Sequence, residues 1–177
     1  MDLTNRETWT VLHGLILGSA FLLAFAGGLA GLWSLRPELV TVAGIHERMR
    51  RLLAGVWTMA IIAWVTVVSG TYIVYPWYRA APPEGTEDLA DYPRSLLLSD
   101  PNTDLWHQLG MEWKEHIAWA APILATAVAF MVMWYGRKLA HDDRLRYATI
   151  ALFVLAFASA AVAGIFGAFI TKAAPLQ

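Results

Sequence analysis

Two histidines, His13 and His116, stand in or at the edge of long apolar segments of this chain. An ionisable side chain is expensive in hydrocarbon. It is normally kept only where it faces a bundle interior and has a partner, a cofactor or a proton to handle. A pair at matching depth on opposite helices could hold a haem b, with one axial ligand from each helix and the macrocycle edge in a gap lined by small residues. The chain contains no cysteine, so thiolate ligation, iron–sulfur chemistry, disulfides and covalent haem attachment are excluded. Any cofactor must be held by His, Met, Tyr or carboxylate.

Several neighbouring residues extend this site. Arg6, Arg94 and Lys114 are the basic groups that could meet haem propionates. Glu112 and His116 are four apart on one helical face, and with His13 they would make a set of two histidines and one carboxylate suited to a divalent metal. The plain reading of Glu112 and His116 is a helix-surface pair in the headgroup zone. His107 and Met111 are the alternates if His116 is not a ligand, and His46 and His141 read as surface histidines among arginines. The plain reading of the stretch around Tyr72 and Tyr75 is an aromatic interface belt, and its functional reading is a hydrogen bond from one of these tyrosines to a cofactor or a quinone. There is no repeated Glu-x-x-His of the di-iron bundles and no His-Glu-x-x-His zinc motif.

The elements that must position these residues follow from composition. Of 177 residues 58% are hydrophobic and 15% charged, with nine Trp, a balance that points to an integral membrane protein. Four runs are long enough to cross a hydrocarbon core: Val11 to Leu35, Leu52 to Trp77, Ile117 to Tyr135 and Tyr147 to Ile170. The first is too long for a signal-peptide core and reads as a retained helix, started by a capping box at Thr4 and Glu7. The expected fold is an all-α, single-domain, antiparallel bundle of four membrane helices.

Charge sets the expected orientation. Arg36, Arg48, Arg50, Arg51, Arg137, Lys138, Arg144 and Arg146 flank two short connections, while ten acids including Asp2, Glu7 and Glu115 lie on the other side. The positive-inside rule then places the Arg-rich loops in the cytoplasm and both termini outside, in a plasma (inner) membrane. The outer connection, residues 79–114, is long enough to be functional or a docking surface. It holds a Pro-rich turn at Ala81–Gly85, the apolar run Leu96–Leu98 and a turn at Asp100–Asp104. From Leu105 the helical pattern continues toward the third span.

At 100° per residue, His13 shares its face with Leu17, Ala20, Ala24, Gly27 and Gly31, and Ala20 and Ala24 would pack against the macrocycle. His116 shares a face with Glu112, Ala120, Ile123, Ala127 and Trp134. The small-xxx-small pairs Gly14/Gly18 and Gly27/Gly31 suggest close helix contacts. The basic segment His46–Arg51 reads as topogenic first and as an anionic-lipid contact second.

In this general plan the chain is similar to membrane-anchored b-type cytochromes. The expectation is a haem b protein passing electrons between the quinone pool and a redox partner such as cytochrome c, as a subunit of a larger respiratory or photosynthetic complex. It has no catalytic residue of its own and no nucleic-acid role. The alternatives are a cofactor-free accessory subunit, or a membrane enzyme with a His/Glu metal site.

Overall fold

The computed structural model describes residues 3–39, 41 and 44–175, so Asp2 lies outside it. The chain is 83% helical with no strand among the described residues. Four helices are long and apolar enough to cross a membrane: α1 (Asn5–Trp33), α2 (Gly44–Tyr78), α4 (Trp106–Tyr135) and α6 (Asp143–Ala173). Two short helices accompany them, α3 (Pro93–Ser99) and α5 (Lys138–His141).

The helix ends have identifiable causes. Thr4 accepts from the Glu7 N–H while the Glu7 carboxylate accepts from the Thr4 N–H, so the capping box forms as its spacing predicts. α4 stops at Gly136, which takes φ 49°, a left-handed conformation that glycine adopts without strain. The Asp142 carboxylate caps α6 by accepting from the Leu145 N–H at 3.0 Å.

The helices are longer than the apolar runs. α2 begins with Gly44, so His46, Glu47 and the three arginines after it ride on helix where a loop was expected. α4 is continuous from Trp106, which shortens the connection expected over 79–114. The rest of that connection is ordered. Thr86 closes the Pro-rich turn on the Pro83 carbonyl, and the Asp100 carboxylate accepts from the Asn102 N–H and side-chain amide at 2.8 Å each. Those two bonds hold the Asp100 carboxyl below the usual carboxylate range. The Leu96–Leu98 run folds as part of α3 and buries Leu97 among Tyr78, Met111, Ile170 and Ala174, so it packs on its own chain.

The chain packs as two compact units, and each spanning helix contributes a stretch to both. One takes the described residues up to Gly18, Val65–Trp119 and those from Ala161 on; the other comprises Ser19–Trp64 and Ala120–Ala160. The second unit holds the larger apolar core, built on Val56, Met59, Val128, Val132 and Phe153 with alanines at the helix contacts. Small side chains let the backbones approach, which drives helix association where lipid is as apolar as the core. Phe25 stacks on Phe157 with ring centroids 3.9 Å apart. In the same unit Arg146, read as a loop cation, is 2% exposed and donates to the carbonyls of Leu35 and Leu139 and to Asp143.

Candidate functional site

The unit that takes Val65–Trp119 also carries His13, Tyr78, His107 and Lys114. Three of its helical stretches carry a π-helical turn: Leu12–Ile16, Gly70–Val74 and Trp106–Met111. Such a turn inserts one residue into the α repeat and is found disproportionately at functional sites, because it re-aims side chains that a regular helix would send elsewhere. His13 lies in the first and His107 in the third.

His13 is half-buried, and its Nδ1 lies 3.3 Å from the Ser69 hydroxyl, which itself donates to the Thr66 carbonyl. Since that hydroxyl hydrogen is spent on Thr66, the histidine Nδ1 is best placed as the donor, leaving the lone pair on Nε2. The ring rests against Gly70, where an added Cβ would fall 2.7 Å from the imidazole Cε1. Glycine at that position makes room for the histidine. Lys114 lies within electrostatic range of the same ring. Its ammonium donates to the Ala163 carbonyl at 3.3 Å and lies over Gly167.

A second polar layer joins α2, α4 and the loop. Tyr78 is buried, and its hydroxyl lies 2.8 Å from His107 Nδ1. Arg79 donates to the Tyr75 hydroxyl at 2.7 Å, a bond that raises the already high arginine pKa. Glu115 lies within reach of the same hydroxyl. Arg94 is within electrostatic range of Tyr78 and His107, and its Nε is buried without a hydrogen-bond partner.

Several sequence expectations change here. His116 does not join His13. Its side chain is 68% exposed, with Nδ1 3.0 Å from the Glu112 carbonyl and 3.4 Å from its carboxylate. The helical face assigned to it is a true face turned outward, since Ile123, Ala127 and Trp134 on it are exposed too. Among the described residues no three His, Asp or Glu side chains gather to hold a metal ion, so the set of His13, Glu112 and His116 is not assembled. Tyr72 is 71% exposed, and Tyr75 is the tyrosine that joins the polar layer. His107, expected at the surface or as an alternate ligand, pairs with Tyr78, while Met111 is buried in the apolar cluster beside it. Arg6 donates to the Asp91 carbonyl and ties α1 to the loop.

The pattern that aligned His13 with Ala20 and Ala24 assumed an unbroken α repeat, and the turn at Leu12–Ile16 breaks that register. Ala20 is half-buried, and Ala24 lines an open groove in the other unit. Of the paired glycines Gly14, Gly18, Gly27 and Gly31, only Gly31 has a neighbour within contact of an added Cβ. Ser69 and Gly70 were missed, because nothing in their spacing marks them as partners of His13.

The donor set fits a haem in part. His13 has Nδ1 engaged by Ser69, a contact of the kind that orients metal-ligating histidines, and Lys114 and Arg94 are basic groups that could meet carboxylates. His116, the second ligand expected, is exposed. No protein-family model, curated protein or solved structure matches the chain.

Proposed function

We propose that this chain is a multi-pass membrane protein that binds an acidic, membrane-soluble ligand in the layer around His13 and Lys114. The observation that carries the reading is the Lys114 ammonium. It is half-buried on α4, three residues before the apolar run of that helix, a backbone carbonyl is its hydrogen-bond partner, and no carboxylate lies within ion-pair distance among the described residues. A cation so placed is costly unless something compensates it, and an acid would supply the missing charge.

The redox form of this reading is a b-type cytochrome that passes electrons between quinone and a partner protein, as a subunit of a larger membrane complex. Haem b would supply the one-electron chemistry. His13 would hold the iron through Nε2, with Ser69 fixing the ring, and Lys114 and Arg94 would meet the propionates. No second axial donor is assigned. A cofactor-free accessory subunit is the second reading, favoured by the outward placement of His116.

A reduced-minus-oxidised spectrum of protein purified in detergent from haem-replete cells separates the two. The redox reading expects a b-type band that is lost in His13→Ala and kept in His46→Ala. A featureless wild-type spectrum, or an unchanged band in His13→Ala, ends it. The charge bias of the loops supports an antiparallel bundle with both termini outside and the Arg-rich loops in the cytoplasm of a plasma-membrane protein.

A further inference from the structure

An open groove of about 480 Å³ runs along α1 and α2, from Leu23 past Gly27 and Gly31 to Ser34, with Gly55 in its wall and Arg48 and Arg51 at one end. Gly31 is closed in by Leu52, but a Cβ added at Gly27 or Gly55 would meet nothing within 4 Å. Those two glycines therefore do not serve helix contact. They hollow out the surface. The helical rise from Leu23 to Ser34 is about 16 Å, close to the roughly 15 Å depth of one leaflet's hydrocarbon.

The charge lies at one end only. Glu47 pairs with both Arg50 and Arg51, at 2.6 and 2.7 Å, and so offsets one of the two. Arg48 donates to the Ser34 carbonyl at 3.2 Å and has no carboxylate within ion-pair distance among the described residues. A surplus of positive charge therefore caps an apolar channel of leaflet depth.

We infer that this groove binds one anionic phospholipid, an acyl chain lying over Gly27 and Gly55 and the phosphate between Arg48 and Arg51. Charge complementarity selects an anionic headgroup over a zwitterionic one, and each basic group near such a headgroup favours it severalfold. The site is independent of whatever His13 and Lys114 bind.

Native mass spectrometry of the detergent-purified protein, offered equal amounts of phosphatidylglycerol and phosphatidylcholine with identical chains, tests this. The wild type retains a single phosphatidylglycerol about tenfold over phosphatidylcholine. Arg48→Gln with Arg51→Gln removes the preference but still binds lipid, and Gly27→Leu with Gly55→Leu loses both adducts at unchanged helical content. If the double leucine variant fails to fold, Gly27→Leu alone is read for the same loss. Equal retention of the two lipids by the wild type, a preference that survives the arginine substitutions, or an adduct that survives a filled groove would each overturn the inference.

Discussion

Lys114 is the side chain whose replacement says most. A half-buried cation with a carbonyl partner contributes less to stability than an apolar side chain of similar length, which loses no hydration on burial. Lys114→Met is expected to raise stability by about 1 kcal/mol or more while abolishing binding of an acidic ligand. Thermal unfolding in detergent, with and without ligand, reads both. A loss of stability would make Lys114 a structural residue and remove the ground for an acid site. Asp100 gives a pH dependence with a definite sign. Its carboxyl is held below the unfolded value by the Asn102 donors, so its contribution is complete above about pH 4 and disappears as pH falls through the folded value. Protection of the Asn102 amide, its exchange rate relative to the intrinsic rate at the same pH, is expected to fall on acidification of the wild type and to show no such step in Asp100→Ala.

At the scale of elements, glycines that look alike in the sequence have opposite roles. Gly28 receives the Phe153 ring, with an added Cβ only 2.6 Å from its Cζ, whereas adjacent Gly27 faces open space. Gly28→Ala is expected to destabilise by about 1–3 kcal/mol, and Gly27→Ala to stabilise by up to about 1 kcal/mol through helix propensity. Unfolding of the two variants side by side checks the assignment, and similar effects would refute it. The four long apolar helices, the Thr4–Glu7 cap and the continuation of α4 into the outer connection were legible in the sequence, because periodicity and capping are local, whereas the short helices α3 and α5 were not. The partners of His13 were not. Its pairing with Ser69 spans two helices, and the π-helical turns shift register where a uniform 100° step predicts faces. Of the face drawn through His116, Glu112, Ile123, Ala127 and Trp134 are exposed with it while Ala120 is half-buried. The direction of that face was not legible, since an apolar stripe beside a histidine looks the same whether it meets lipid or a neighbouring helix.

For the whole molecule, sidedness is read by thiol labelling at exposed positions on the two sets of connections. Ala140 is buried and Ser34 bonds to the Gly31 carbonyl, whereas Glu38 and Glu87 are exposed. With the Arg-rich loops inside, Glu87→Cys should react with an impermeant thiol reagent in intact cells and Glu38→Cys only after lysis. The reverse pattern would invert the proposed topology and place the His13 layer at the cytoplasmic face.

The position of Arg146 bears on how this protein is made. Its guanidinium reaches the backbone of Leu35 and Leu139, which belong to two different connections, yet it is carried on α6, which leaves the ribosome after both. Until that helix arrives, both carbonyls lack the donor they have in the finished protein. The connection after α1 therefore waits for a side chain 111 positions downstream, and a single arginine then ties it to the connection just before α6.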